Sequence, residues 1–237
     1  MGAVYRLALR QLAGRWRLLI ITALAAMPVI IALLTVATLN APTVREFEIA
    51  VLSAMLAGSI APLVVLAIAA AAFANEVEDR TIANLTLSPV PRWQIVLPKL
   101  LAAITIAGPF IAVSALVTAH LAFLGDARAT IAVTVSALAG VAMYASMFVW
   151  LGLLTTQAIG VGLLYIVLWE GFFAGFVSGA RMLSIRHYAI ALMHGMDERR
   201  FAGSTHLSLG VAIVVSVMVF GGFLFLAVRR LRRMDVP

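Results

Sequence analysis

The sequence predicts an all-α polytopic membrane protein: one bundle of six transmembrane helices, an amphipathic interfacial helix in front, and a short cytoplasmic helix between spans 2 and 3. Three observations carry that prediction. Hydrophobic residues make up 64% of the 237 and the mean hydropathy is +1.10, against roughly 45–50% apolar residues in a soluble domain. Six apolar runs, 18–38, 51–74, 100–124, 131–154, 158–177 and 207–228, each approach the roughly 20 residues needed to cross the hydrocarbon layer. The runs are far longer than the alternating strands of an outer-membrane barrel, and lipid offers no partners to backbone polar groups, so each run is a helix. Residues 1–237 therefore read as a single transmembrane domain.

Residues 4–17, VYRLALRQLAGRWR, set Arg6, Arg10 and Arg17 near one helical face and Val4, Tyr5, Ala8 and Leu12 nearer the other, with Arg15 on the apolar side. The pattern predicts an imperfectly amphipathic helix on the membrane surface, either touching a cytoplasmic partner or simply setting orientation. Ala23-Leu24-Ala25 resembles a signal cleavage site, but its apolar run continues to about residue 38, too long for a signal core. Pro28, Pro62 and Pro109 interrupt the first three spans as candidate kinks.

Between spans 2 and 3 lies the most polar stretch of the chain, residues 75–99, holding two Glu, one Asp, two Arg and the only lysine, Lys99. Thr81 is a candidate N-cap, Ile82 and Leu85, extended by Leu87, form an apolar ridge of one or two turns, and Pro89 and Pro91 end it. A helix that short is unstable alone in water, so it needs a protein groove to hold it.

Orientation follows from the basic residues. With both termini inside, Arg6, Arg10, Arg15, Arg17, Arg80, Arg92, Lys99, Arg229, Arg230, Arg232 and Arg233 are cytoplasmic, and only Arg45, Arg128, Arg181, Arg186, Arg199 and Arg200 lie outside. The positive-inside rule favours that arrangement, with RRLRR after the last span as its strongest signal. The expected location is a plasma (inner) membrane. Arginines beside apolar runs suit anionic lipid headgroups better than nucleic acid, so no nucleic-acid partner is expected from the +7 charge.

Glu170 is the one acidic residue deep in an apolar run, where a charge costs roughly 2.5–3.5 kcal/mol on insertion scales. It has three readings: a buried hydrogen-bonded group at a helix interface, part of a translocation path or its outer gate together with Arg186, or a proton-coupling site. Gly171, Gly175 and Gly179 follow at four-residue spacing, suited to close helix packing within the chain or against a second copy. The 178–206 segment, with MLSIRHYAIALM in its middle, predicts a re-entrant or interfacial helix. On that helix His187 and His194 could share a face. Arg199 and Arg200 stand ready to pair with Asp197 and Glu198, so no metal site is expected.

The order Glu76-x-Glu78-x-Arg80-Thr81-Ile82-x-x-Leu85, then Leu87-Ser88-Pro89-Val90-Pro91-Arg92 and Lys99, resembles the membrane subunits of ABC-2 type ABC transporters. Leu168-Trp169-Glu170-Gly171 and Leu183 to Ala189 resemble the same family after its fifth span. The resemblance implies that Glu76, Glu78, Arg80, Thr81, Ile82, Leu85, Pro89 and Arg92 belong to a coupling helix gripped by an ATP-binding subunit. It also implies an exporter in which two permease copies, or a copy and a homologue, pair with two ATPase subunits. Independently, a lone lysine preceded by proline rules out a GxxxxGK[ST] phosphate loop, so this chain is expected to hold no cofactor and to leave ATP and Mg to its partner. Few polar groups line the spans, which suits a hydrophobic or amphipathic substrate such as a drug, lipid or peptide. The alternatives are an intramembrane enzyme, for which Gly175-Phe-Val-Ser178-Gly179 has one residue too many for a serine-protease motif, and a non-transporting accessory subunit.

Overall fold

The computed structural model describes residues 2–37, 43–73, 91–174, 179–201 and 207–233. Among them are eight helices: α1 (Gly2–Leu12), α2 (Arg15–Ala37), α3 (Val44–Phe73), α4 (Trp93–Ala122), α5 (Ala127–Leu154), α6 (Ala158–Phe173), α7 (Ile185–Met196) and α8 (Leu209–Arg233). No strand occurs among the described residues. Helices α2, α3, α4, α5 and α8 are long and apolar enough to cross a membrane. The expected fifth span is shorter where described, seven α-helical residues followed by nine π-helical ones, so five full-length spans and one shorter apolar helix stand where six equal spans were expected. The helix expected between spans 2 and 3 falls at 74–90, outside the described residues.

Several helices start before their apolar runs because polar residues cap them. Thr43 opens α3 with a capping box: its Oγ1 accepts from the Glu46 amide, and its own amide donates to Glu46 Oε2 at 2.8 Å. Asp126 opens α5 by accepting from the amides of Arg128 and Ala129. Hydropathy sees only the lipid-soluble part of a helix, and these caps lie beyond it. The amphipathic helix expected over 4–17 is also divided differently. It ends at Leu12, and Arg15 and Arg17 form the first turn of α2 after Ala13-Gly14. That division accounts for Arg15 appearing on the wrong face. Ala8 and Leu12 are buried, and Tyr5 donates from its hydroxyl to Thr105 Oγ1 at 3.0 Å, laying α1 along α4.

Helix α5 is the centre of the bundle, with 67% of its apolar window buried, whereas α2 and α8 lie outside it, at 22% and 11%. Inside a bilayer lipid competes equally well for apolar side chains, so helices associate where small residues let backbones approach. Gly152 of α5 is such a place: a Cβ there would stand 2.7 Å from the Ala70 carbonyl oxygen of α3. Gly162 of α6 gives the same clearance to Leu66 of α3.

Two stretches wind as π-helix, Glu48–Ile60 in α3 and Tyr165–Phe173 in α6, and they touch. The first returns to α-helix at Ala61, next to Pro62, which has no amide to donate. Single-turn π-bulges mark functional positions in many helices; here both wide turns flank the same spot.

The Gly152 contact is testable. Gly152→Ala should lower stability by about 1–3 kcal/mol through overpacking, read as a lower thermal midpoint in detergent. Gly160→Ala, where an added Cβ meets nothing within 4 Å, should leave that midpoint unchanged or higher.

Candidate functional site

The two π-helical stretches and the start of α7 converge on Glu170, whose side chain is fully buried. Its carboxylate accepts from the Tyr144 hydroxyl of α5 at 3.1 Å, the Tyr165 hydroxyl at 3.0 Å and Ser184 Oγ at 2.5 Å. It also accepts from the backbone amides of Ile185 at 3.0 Å and Arg186 at 3.4 Å. Those amides belong to the first turn of α7, where no helical carbonyl is there to receive them. Ser184 is the N-cap, and its Oγ accepts from the His187 amide at 3.2 Å. The Glu170 charge thus sits on the positive end of a helix dipole. Five donors offset the desolvation that made the residue conspicuous in sequence. The geometry is that of a buried carboxylate at a helix interface.

Arg186 completes the joint. Its guanidinium donates to Ser53 Oγ of α3 at 2.9 Å and to the backbone carbonyl of Glu170 at 3.5 Å. Gly58 leaves room for it, since a Cβ there would press on the Arg186 side chain at 3.1 Å. Glu170 and Arg186, expected at one gate, are therefore brought together, though the side chain of Arg186 reaches the carbonyl and not the carboxylate of Glu170.

Beside this joint lies a cavity of about 500 Å³ lined by Arg45, Glu48, Ser53, Arg181, Ser184, Arg186 and His187, with Ile49, Ala174 and Ile190 as its apolar wall. Burial, and then the nearby Arg181 charge, pushes the His187 pKa below the ordinary histidine value, with Glu170 acting in the opposite direction. Helix α7 confirms the helical middle of 178–206, and at 12 residues it is too short to cross a bilayer. The sequence expectation for its carboxylates is corrected. Asp197 lies 3.9 Å from Arg128, and Arg200 lies 3.4 Å from Asp126, because folding brings the α4–α5 turn closer than sequence neighbours. His194 turns away from His187 to Glu48 and stacks on Phe201. No group of three or more His, Cys, Asp or Glu is assembled among the described residues.

Gly171 meets only the Ile166 carbonyl of its own helix, and Gly179 meets nothing within 4 Å. No other helix of this chain closes on them among the described residues, and Gly175 lies outside the description. Of the expected partner-contact residues, Glu76, Glu78, Arg80, Thr81, Ile82, Leu85 and Pro89 also lie outside it. Arg92 is the cap residue of α4, its carbonyl accepting from the amides of Ile95 and Val96.

One buried residue borders that stretch. Lys99 is 3% exposed, donates from Nζ to the Ala72 carbonyl at 2.7 Å and lies 4.2 Å from the centre of the Phe73 ring. It pins the last turn of α3 to the second turn of α4, the two helices from which residues 74–90 depart. Sequence reasoning singled out Glu170 and Arg186, placed Lys99 in the cytoplasmic segment whereas the structure buries it in α4, and missed Tyr144, Tyr165, Ser53 and Glu48. The signal present for the tyrosines was a hydroxyl in an apolar run, which needs a partner in lipid.

A family model described as "ABC-2 family transporter protein" matches residues 14–185. No curated protein matches the chain.

Two substitutions test the site. Glu170→Gln leaves a single acceptor oxygen among five donors and should cost about 2–3 kcal/mol, with faster amide exchange at residues 185–187. Lys99→Met keeps the bulk and removes the hydrogen bond and the cation–π contact. It should cost about 1–3 kcal/mol and open residues 70–73 to exchange while those at Glu170 stay protected.

Proposed function

Since the chain belongs to the ABC-2 family of transporter proteins, with the match covering residues 14–185, we propose that it works as the permease subunit of an ATP-driven exporter. Permeases of this family are the membrane component of an ABC transporter, and ATP-binding subunits are their partners. Two copies, or one copy and a homologue, form the pathway, and two ATP-binding subunits grip residues 75–92, since Val96, Pro98 and Lys99 of the expected segment 75–99 are buried in the bundle. ATP and Mg belong to those subunits, because the single lysine of this chain is spent inside the bundle.

The observation that carries this function is the family match itself, whose bounds, residues 14–185, reach from the start of α2 to the first residue of α7. The Lys99 bond supports the coupling step: a push on residues 75–90 reaches α3 and α4 together, since their ends are tied. Both helices then act on the π-helical region and on Arg186, which bonds to Ser53. The open face of α6, with Gly171 unopposed and Val167, Leu168 and Phe172 exposed, fits contact with a second permease. Amphiphiles suit spans that carry few polar residues.

The basic-residue balance supports cytoplasmic termini in a plasma or bacterial inner membrane. Arg15 at the start of α2 and the RRLRR run at the end of α8 would both lie on that side.

The chain has no cysteine, so single introduced cysteines report topology directly. With Leu85→Cys and Met182→Cys placed separately, an impermeant thiol reagent applied outside intact cells should label residue 182 alone. Residue 85 should react only after permeabilisation. Leu85→Asp should also abolish co-purification of an ATP-binding subunit while the bundle keeps its thermal midpoint. Labelling of residue 85 from outside, or a wild-type chain that never retains an ATP-binding protein, would sink the proposal.

A further inference from the structure

The six arginines on the minority side of the charge balance are gathered at one end of the bundle, and two hollows account for all of them. Arg128, Arg199 and Arg200 surround a hollow of about 470 Å³ that also holds Asp126 and Asp197. There Arg128 and Arg200 each face a carboxylate. The cavity beside α7 is different in kind. Three guanidinium groups, Arg45, Arg181 and Arg186, line it against the single carboxylate of Glu48. That carboxylate is engaged by His194 at 2.5 Å.

Glu170 stands behind the cavity wall and does not line it. Its carboxylate is held behind Ser184 by two hydroxyls of tyrosine, one of serine and two backbone amides. Arg186 gives its described bonds to two neutral oxygens, so its charge is oriented without being neutralised there. Arg181 is steadied by the bond from its Nε to the Ala174 carbonyl at 3.2 Å. The outcome is a positive hollow in which Arg181 and Arg186 are held by hydrogen bonds, with hydroxyls from Ser53 and Ser184 at its edge.

Planar guanidinium forks match the oxygen spacing of phosphate, and several converging on one place are selective for it over a lone carboxylate. The wall of Ile49, Ala174 and Ile190 gives the same cavity an apolar side. We propose that this cavity binds the phosphate-bearing head of an amphiphile, with Arg45, Arg181 and Arg186 on the phosphate and Ile49 and Ile190 against the start of its apolar body. Arg186 also holds α7 to α3, and Arg181 is bonded to the Ala174 carbonyl, so Arg45 is the residue whose removal reads binding with the least disturbance of the fold. That such an amphiphile is the cargo rests on the permease role proposed above.

The full chain in phosphatidylcholine nanodiscs, without any ATP-binding subunit, should bind a fluorescent phosphatidic acid saturably. The variant Arg45→Gln should bind it about tenfold more weakly, with a thermal midpoint like that of the wild type. Arg199→Gln, in the neighbouring hollow, should keep wild-type affinity. Equal affinity in Arg45→Gln, or an equal loss in Arg199→Gln, overturns the site. Displacement of the probe by inorganic phosphate supports the site with a soluble phosphate as its occupant, and resistance to displacement supports the lipid head. With the ATP-binding subunit added in vesicles, ATP-dependent movement of the probe supports the cargo assignment. Binding without movement overturns that assignment while the site stands, and failure of the subunit to associate overturns the permease role separately.

Discussion

A charge removed from water must be surrounded by groups that replace its hydration, and in this bundle that demand is met at Glu170 by the open end of a helix. The first amides of α7 have no helical carbonyls to pair with, and the carboxylate has no water, so each deficit answers the other. Tyr144, Tyr165 and Ser184 supply the remaining donors. Since these come from α5, α6 and the turn before α7, a single carboxylate fixes where α7 lies. Arg186 then extends the joint to Ser53 of α3.

The same constraint acts at the opposite end of α3, where Lys99 meets the Ala72 carbonyl and the Phe73 ring. A lysine so deeply buried would be costly in lipid without such partners. Helix α3 is thus held at two places by charged residues from other elements, the buried Lys99 near Phe73 and the half-buried Arg186 at Ser53. Between them it changes from π- to α-helical winding at Ala61.

The arginines that oppose the positive-inside rule also find their explanation in three dimensions. Along the chain they are scattered from residue 45 to residue 200, and they read as weakening the orientation signal. In the fold they form two groups. In one, Asp126 and Asp197 pair with two of the three arginines, and the other lines a cavity with a single acidic residue. Local pairing and enclosure give these charges a structural reason to be where they are, independent of the bias that orients the chain.

Lipid solubility made the helical class, the approximate spans and the unusual position of Glu170 readable from the order of residues, because a bilayer punishes unpaired backbone and buried charge wherever they occur. The polar motif around Glu76 to Arg92 likewise carried the family. Helix ends were displaced, at Thr43 and Asp126 outward and at Leu12 inward, since capping and a glycine break are set by backbone hydrogen bonds that hydropathy does not register. The donors around Glu170, the pairing of Asp197 with Arg128 and the gathering of six distant arginines depended on which helices touch. Those choices follow from close approaches such as Gly152 against Ala70, where the absence of one side chain matters only once the opposing backbone is in place. Linear order alone settled what kind of environment each segment needs; the packed bundle decided which residue supplies it.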